Sequence, residues 1–285
     1  MAQVAILTDS AASLPKALAD EYAIRVVPLN LVIDGHTYAD SLEDDGDFYE
    51  RLRSARRPPT TTSPSPGTYV EALRELAEKA PSILCVTVGS QFSVTYQSAV
   101  RASELLREAL PDVEIRVLDS QTAAMAQGFI VLAAARAVAG GADLATAAAS
   151  AEALMPRVRV IAALDTLEFL ARGGRVPRVA AWASDLLQVK PIVEFKQRKI
   201  SLVARTRTRR RAVDRLLSLL EERRGDDASL HVCVQHTDAP AEAQALADRV
   251  SASLRPAELY VQEFTRAMGA HTGPGLLAFS FYSEP

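Results

Sequence analysis

Short apolar runs alternate with longer amphipathic stretches through the first half of the chain. The runs at 3–8, 82–88 and 114–120 are rich in β-branched residues, and a helical or capping pattern follows each of them. Apolar strands separated by helices are typical of a parallel sheet with crossover connections. We therefore expect residues 1–156 to form an α/β domain whose mostly parallel sheet is flanked by helices.

The pattern changes near residue 157. Two apolar runs flank a polar turn at 196–199, which predicts a hairpin, and helical patterns over 206–224 and 239–254 separate the remaining strands. Residues 157–285 are therefore predicted to form a second α/β domain with a mixed sheet. No low-complexity linker divides the halves, so we expect an extended shared interface and a ligand cleft within it.

Two segments depart from the regular alternation. Residues 34–68 are rich in Pro, Thr, Ser and Gly, which predicts irregular structure laid over the edge of the sheet. Residues 123–154 are almost entirely small or apolar. They form either an ordinary core helix, since alanine is the best helix former, or a helix that leaves room beside it for an alkyl chain.

Composition restricts the partner classes. The chain has 285 residues, 48% of them hydrophobic, and a formal net charge of -3 that does not favour nucleic acid or an anionic membrane. The start, MAQVAILTDS, lacks a leader pattern. We expect a monomeric cytoplasmic protein with no membrane span and at most a transient contact with a membrane surface. Cys85 and Cys233 lie within apolar runs, so buried thiols are expected.

Catalytic motifs are largely missing from the sequence. It has no GxSxG, GxxxxGK[ST] or HExxH pattern, and its histidines lack metal-ligand spacing with a cysteine, so we expect no metal and no cofactor. Asp9 ends the first strand, where open α/β sheets bind ligands. It is either an aspartyl nucleophile or a turn former. A phosphatase of that kind would carry a second carboxylate two residues on, where this chain has Ala11.

Hydroxyl side chains cluster at three predicted strand ends. The clusters comprise Thr60, Thr61, Thr62, Ser63 and Ser65; Ser90, Ser93 and Thr95; and Asp119, Ser120 and Thr122. The last two clusters follow strands of one parallel sheet, so their hydroxyls and free N–H groups should meet at one rim as an anion site. Helix capping alone would account for Ser93 and Ser120.

A histidine lies in the glycine-rich segment GAHTGPG, residues 269–275. The segment is predicted to be a turn between two strands, with His271 either structural or in contact with a ligand. Glycines on both sides would allow the backbone to approach a ligand closely.

Seven motifs in order resemble the DegV family, the bacterial fatty-acid-binding proteins. The matching segments are ILTDSAASLP, TTSPSPGTY, SQFSVTYQSA, VLDSQTAAMAQG, TLEFLARGGRV, LLQVKPIV and GAHTGPG. The resemblance implies two α/β domains that hold one long-chain fatty acid between them. It also implies a non-catalytic carrier, the binding subunit of a fatty acid kinase, whose separate ATP-dependent subunit phosphorylates the bound carboxylate.

The resemblance also assigns residues to this site. Thr62 and Ser63 match the threonine–serine pair of the first hydroxyl motif, Ser93 the serine of the second, and His271 the histidine of the glycine-rich segment. Arg175 matches the arginine that faces the kinase or the transferring phosphoryl group. Three neighbouring positions complete the predicted ligand site: Val94, Thr95 and Gly273.

Five positions depart from the family pattern. Gly89, Pro64, Val94, Ala124 and Ala126 stand where serine, glutamine, glycine, serine and glycine are usual. Val94 matters most, because a β-branched residue restricts the backbone and adds bulk where a glycine would let an N–H approach the carboxylate. We expect a head-group geometry, or even a ligand, that differs from the family norm.

A basic run surrounds the start of the predicted helix at 206–224. Its arginines are Arg205, Arg207, Arg209, Arg210 and Arg211. A helix N-terminus repels cations, so helix stability does not explain them. They form either a solvated face or a docking patch for an acidic or phosphate-bearing partner. Nucleic acid is disfavoured because the spaced aromatics of a single-strand binder are missing.

The residues alone leave two classes of function open. One is the fatty-acid carrier. The other is an enzyme, a hydrolase or phosphotransferase that acts on an acyl or phosphorylated small molecule through Asp9, Ser93 or His271.

Overall fold

The first domain contains a parallel four-stranded sheet. The computed structural model describes residues 3–40, 48–54, 59–174, 189–225 and 229–284. The sheet has the order β2-β1-β6-β7 and consists of β1 (Val4–Asp9), β2 (Arg25–Val27), β6 (Ser82–Thr87) and β7 (Glu114–Asp119). Its flanking helices are α1 (Lys16–Glu21), α3 (Pro66–Ala77), α4 (Thr95–Leu106), α5 (Ala124–Ala139) and α6 (Leu144–Leu154).

Burial on both faces explains the continuous apolar runs of this sheet. Leu7, Ile83 and Cys85 pack on the side of α3 and α4, whereas Ile6 and Leu84 pack on the side of α5 and α6. A central parallel strand that is covered by helices on both faces has no solvent-exposed side, so its side chains are apolar in both directions. The predicted parallel α/β architecture is confirmed.

A second, smaller sheet corrects the expectation for residues 34–68. The antiparallel strands β3 (Asn30–Ile33), β4 (His36–Ala39) and β5 (Thr60–Thr62) pair in the order β4-β3-β5, and α2 (Phe48–Ser54) packs beside them. The prediction of irregular structure was wrong here. The β-branched threonines of β5 favour a strand. The strand is only three residues long and lies among prolines and serines, so the sequence shows no strand pattern there.

The second domain contains a mixed six-stranded sheet with the order β10-β9-β8-β13-β11-β12. Its strands are β8 (Arg159–Ala163), β9 (Lys190–Lys196), β10 (Lys199–Thr206), β11 (Ser229–His236), β12 (Glu258–Glu263) and β13 (Leu277–Glu284). Its described helices are α7 (Glu168–Gly173), α8 (Arg209–Arg223), α9 (Pro240–Leu254) and α10 (Arg266–Thr272). β11 and β12 are parallel and the other neighbours antiparallel, and the predicted β9–β10 hairpin is present.

The glycine-rich segment at 269–275 is only partly a turn. α10 runs to Thr272 and includes His271 in its last turn. Gly273 and Gly275 follow with φ of +75° and +81°, a region that favours glycine. The sequence therefore located the glycines correctly but placed His271 in the turn rather than in the helix that precedes it.

One hydrophobic core joins the two domains. Met125, Phe129 and Ile130 of α5 are buried together with Leu84 of the first sheet and Tyr282 of the second. The expected shared interface is therefore present, and most of the apolar segment 123–154 is core helix. Cys85 and Cys233 are buried free thiols, as expected. None of the helices in the described ranges is long and apolar enough to cross a membrane.

Candidate functional site

A cavity of about 600 Å³ lies between the two domains. The larger sheet supplies one side of it, which we call the apolar floor: Val160, Ala162, Leu164, Val193, Phe195 and Ile200. Val160 and Ala162 alternate along β8, with Leu164 just after it, and Val193 and Phe195 alternate along β9, because successive side chains of a strand point to opposite faces. Ile200 comes from β10. The volume falls within the range of about 300–1,000 Å³ that is usual for small-molecule sites.

Three hydroxyl residues of the first domain line this cavity beside His271. They are Thr61, Thr62 and Ser63, at the end of β5. Thr61 is buried and its Oγ1 lies 2.7 Å from Nε2 of His271. The imidazole also fills the space beside Gly173, where an added Cβ would lie 2.6 Å from Nδ1. The histidine is therefore oriented from two sides.

The loop after β6 supplies the opposing hydroxyl. Ser93 lines the cavity, and its Oγ lies 2.7 Å from Oγ1 of Thr95, the first residue of α4. Thr95 itself is fully buried and lies behind the wall. Because the Ser93 hydroxyl contacts Thr95 and His271 contacts Thr61, the described contacts do not form a serine–histidine catalytic pair.

Val94 lines the cavity as predicted, whereas Gly273 does not. Val94 lines the mouth as a residue that is 62% exposed, and its φ of -79° is one that valine adopts without strain. Gly273 is not among the described residues that line the cavity. An added Cβ there would lie 2.2 Å from Cδ2 of Phe169, and its carbonyl accepts a bond from Thr237. An altered head-group geometry at Val94 stays a prediction, and Gly273 packs against Phe169 rather than lining the cavity.

The third hydroxyl cluster does not reach the cavity in the described structure. Ser120 and Thr122 are buried, and the Ser120 hydroxyl donates to the carbonyl of Thr122 and accepts from its N–H. Asp119 accepts bonds from the main-chain N–H and the hydroxyl of Ser90, at 3.0 and 2.6 Å, and pairs with Arg198 of the second domain. The two clusters meet through the contact of Ser90 with Asp119, but only the cluster that contains Ser93 lines the cavity. That this rim binds an anion stays a prediction.

Asp9, the candidate nucleophile, is fully buried. It accepts bonds from the N–H groups of Val88 and Ala11, at 2.7 and 3.1 Å, and from Nε2 of Gln127 at 3.2 Å. Burial raises the pKa of Asp9 to about 6, although these bonds act to lower it. Asp9 does not line the cavity. This geometry fits a carboxylate that organises a turn.

The described lining of the cavity contains no basic side chain other than His271. No Lys or Arg belongs to its described lining. The described residues also contain no group of three or more His, Cys, Asp or Glu that could hold a metal ion. Arg175, matched to the phosphoryl-facing arginine, lies outside the described residues. The polar groups in the described lining are therefore hydroxyls, backbone N–H groups, the Gln91 amide and His271.

The basic run divides into one paired and four exposed arginines. Arg209 pairs with Glu242 at 2.8 Å, and its guanidinium donates to the carbonyl of Gly275 at 2.5 Å. The other four, Arg205, Arg207, Arg210 and Arg211, are exposed. Because Gly275 follows α10, this run lies at the same end of the sheet as His271.

The apolar floor is the part of the site that sequence reasoning missed. The apolar slot was sought beside residues 123–154, of which only Ala123 and Ala124 line the cavity. The apolar residues in RVRVIAAL and VKPIVEF were a usable signal of this floor, because an apolar strand face has to be covered by other side chains or by a ligand.

Known proteins match the chain over nearly its whole length. The family model described as "Uncharacterised protein, DegV family" matches residues 3–284. A DegV domain-containing protein of Streptomyces coelicolor is 36% identical over 276 residues, which cover 96% of each chain.

Solved structures have the same fold. A DegV family protein from Thermus thermophilus, described by its fatty acid binding, has a TM-score of 0.90 and 29% identity, with 99% of each chain covered. A stearic acid-binding protein from Eubacterium ventriosum has a TM-score of 0.89 and 27% identity, again over 99% of each chain. With its two α/β domains and the family match from residue 3 to residue 284, this chain belongs to the DegV family.

Proposed function

We propose that this protein binds one long-chain fatty acid in the interdomain cavity and acts as a carrier rather than a catalyst. The observation that carries the proposal is the combination of an extended apolar floor with hydroxyl groups and His271 on the same cavity wall. Relatives of the same fold are described as fatty-acid-binding proteins. We propose that the carrier is a monomer.

Burial of the tail would supply most of the affinity. A sixteen-carbon chain has about fourteen methylenes, and at roughly 0.8 kcal/mol each their transfer contributes on the order of 11 kcal/mol before ordering costs. The carboxylate then has to avoid an unpaired buried charge. Hydroxyl donors from Thr62, Ser63 and Ser93, with His271 beside them, stabilise its ionised form without a lysine or arginine.

Binding can be tested directly. Purified protein is denatured and extracted with organic solvent, and the extract is analysed by mass spectrometry. We expect about one fatty acid per chain. A protein that is empty, takes up no added fatty acid and gains no thermal stability from it would disprove the proposal.

The second part of the proposal is presentation of the carboxylate to a separate ATP-dependent kinase. A carboxylate oxygen would bond to the γ-phosphorus of ATP as the bond to the β-phosphate oxygen breaks, which gives an acyl-phosphate and ADP. The hydroxyl-rich mouth, with the half-buried Ser93 and the exposed Val94, supports access to the head group. The exposed arginines Arg205, Arg207, Arg210 and Arg211 and the matched Arg175 are proposed to face the acidic or phosphate-bearing partner.

Charge reversal separates docking from binding. The double variant Arg207→Glu/Arg210→Glu should retain fatty acid but reduce acyl-phosphate formation with a fatty acid kinase subunit by about tenfold or more, since it replaces attraction by repulsion. The control is Arg107→Glu, which reverses an exposed charge at the end of α4 in the first domain. Equal turnover of the double variant and the parent would exclude the docking role.

A further inference from the structure

A buried carboxylate lies behind the wall of the cavity, outside its described lining. Asp40 follows β4 in the first domain and is only 4% exposed. Its Oδ1 accepts the N–H of Ala267 in the second domain at 2.7 Å, and its Oδ2 accepts the hydroxyl of Ser10 at 2.5 Å. Ala267 is 227 residues away in sequence. Asp40 therefore connects the two domains directly.

The bond to Ala267 caps the helix that carries His271. Ala267 is the second residue of α10, and the residue before the helix, Thr265, makes no capping bond with its side chain. The first N–H groups of a helix have no partner within the helix, and a side-chain oxygen of the preceding residue usually accepts one of them. Here an oxygen of Asp40, from the other domain, takes that place. The position of α10 therefore depends on the first domain.

The first domain contacts α10 at two further points. In the last turn, Oγ1 of Thr61 lies 2.7 Å from Nε2 of His271. Midway, Tyr49 of α2 packs so closely on Gly269 that an added Cβ there would lie 2.7 Å from the tyrosine hydroxyl. Ala267 and His271 both line the cavity and are four residues apart, so they lie on one face of the helix. A shift of the first turn would therefore move the imidazole.

Asp40 is itself held in a ring of hydrogen bonds. Its N–H donates to the carbonyl of Leu29 at 2.7 Å, and the N–H of Leu29 donates to Oγ of Ser10 at 3.0 Å. The Ser10 hydroxyl then donates to the Asp40 carboxylate, which closes the ring. Leu29 lines the cavity, and so does Ala11 beside Ser10. The carboxylate therefore has a fixed orientation toward α10.

The domains have other contacts that keep them together. Phe129 and Ile130 pack with residues of both large sheets, and Arg136 binds Glu258. None of these four residues belongs to the described lining of the cavity. Loss of the Asp40 carboxylate should therefore loosen α10 while the domain interface around α5 is retained.

We infer that Asp40 is a positioning residue of the fatty-acid site, which holds α10 against the first domain so that the His271 imidazole faces the head group. This role rests on the proposed function and adds to it a residue on which the geometry of the head-group site depends. Asp40 does not line the cavity, so its effect on binding should pass through α10 and be small once His271 is absent.

A double-mutant cycle on binding tests this dependence. The Kd for a fluorescent fatty acid is measured for the parent, Asp40→Ala, His271→Ala and the double variant. We expect Asp40→Ala to raise the Kd by about fivefold to tenfold, no more than the loss of His271 itself. The double variant should then bind about as weakly as His271→Ala alone. Independent effects would instead multiply to about fiftyfold or more.

Nuclear magnetic resonance of the ligand-free protein gives a second readout. The chain has four histidines, and the imidazole signals of His271 are identified by their loss in His271→Ala. Asp40→Ala should shift the signals of His271 and leave in place those of His231, whose ring contacts Glu258. Glu258→Gln should do the reverse.

Glu258→Gln is also the control for a general loss of stability. It removes a carboxylate from a contact between the domains, outside the described lining of the cavity, and should lower the melting temperature without changing the Kd. Ser10→Ala is a milder second variant in case Asp40→Ala does not fold, since it removes the hydroxyl that orients the Asp40 carboxylate. It should raise the Kd by about twofold to threefold.

The possible results separate the two proposals. A parent that takes up no fatty acid disproves the proposed function. A parent that binds, together with a folded Asp40→Ala that binds as tightly or leaves the His271 signals unmoved, overturns the positioning role but leaves the carrier intact. A double variant whose Kd is the product of the two single effects also overturns it. So does a Glu258→Gln variant that binds as weakly as Asp40→Ala, because general stability would then explain both.

Discussion

Thr61 and His271 are 210 residues apart in sequence, yet Oγ1 of one lies 2.7 Å from Nε2 of the other. Thr61 is held in β5 opposite Leu31, and His271 lies in the last turn of α10. The contact joins the first domain to the second at the wall of the cavity. Its geometry fixes one imidazole nitrogen, so that the ring has a defined orientation toward a bound head group.

Replacement of that histidine should weaken binding while the fold is retained. We expect His271→Ala to raise the Kd for a fatty acid by about tenfold, the loss of roughly one hydrogen bond to a charged group. Titration with a fluorescent fatty acid measures the change. The control, His36→Ala, removes an exposed histidine of β4 and should bind like the parent. Equal affinity of the parent and His271→Ala would contradict the assignment of His271 to the head group.

Ser93 should show a similar effect for a different reason. Ser93→Ala removes a donor from the first domain, and we expect the Kd to rise by about fivefold to thirtyfold with little change in melting temperature. Ser103→Ala is a matched control on α4, because that hydroxyl donates to the carbonyl of Val100 in its own helix and does not line the cavity. If fatty acid dissociates from Ser93→Ala at the same rate as from the parent and from Ser103→Ala, Ser93 does not contact the carboxylate.

The buried carboxylate of Asp9 should make stability depend on pH. Its pKa is raised by burial from 3.8 to about 6. The native state therefore holds this proton more tightly than the unfolded chain. The favourable contribution is complete below about pH 4 and is lost as the pH rises through 6, a change on the order of 3 kcal/mol.

Asp9→Asn isolates this contribution. An asparagine has only one acceptor oxygen for the donors Val88, Ala11 and Gln127, so the variant should be less stable by about 1–3 kcal/mol at low pH. The difference from the parent should shrink between about pH 4 and pH 7, as measured by urea unfolding. Exposed Asp112→Asn is the control. Parallel stability curves for the parent and Asp9→Asn would show that Asp9 does not titrate in this range.

Arg136 and Glu258 join the domains away from the cavity. Arg136 of α5 binds Glu258 of β12 through both guanidinium ends, and Nδ1 of His231 lies 2.7 Å from the same carboxylate. Burial acts to raise the pKa of Glu258, but the bonds from Arg136 and His231 outweigh it and the pKa is lowered. Stability from this carboxylate is present above its ordinary pKa of 4.5 and lost as the pH falls below it.

Loss of the carboxylate should therefore destabilise the whole chain. We expect Glu258→Gln to lower the free energy of unfolding by about 2 kcal/mol, since a partly buried arginine loses its counter-charge. A double-mutant cycle with Arg136→Gln should give a coupling energy of about 1–2 kcal/mol. Strictly additive effects of the two substitutions would show that the pair contributes nothing of its own.

The helices and strands with a buried face were the most predictable part of the fold. The strand Ser82–Thr87 is buried along almost its whole length, and such strands appear in sequence as unbroken apolar runs. The Lys190–Thr206 hairpin was visible from its polar turn. β5 was not, because three threonines next to prolines and serines carry no periodic signal.

The cavity was harder to predict than the fold. The sequence around an apolar residue such as Val193 or Ile200 is the same whether a ligand or another side chain covers that residue in the structure. Contacts such as Thr61 with His271 depend on how two domains meet, and local spacing does not encode that. Only the family resemblance brought Thr62, Ser63, Ser93 and His271 together, and the structure places all four in the wall of one cavity.

The core around α5 bears on how a ligand enters and leaves. Phe129 and Ile130 pack with residues of both large sheets, so a hinge motion that parted the domains would expose this core to water. A fatty acid should therefore enter and leave along its own length through the mouth of the cavity, with small local openings near Val94. Such an exit makes the residence time long compared with that of a surface groove, and a tightly held cargo would be handed over only where a partner engages that mouth.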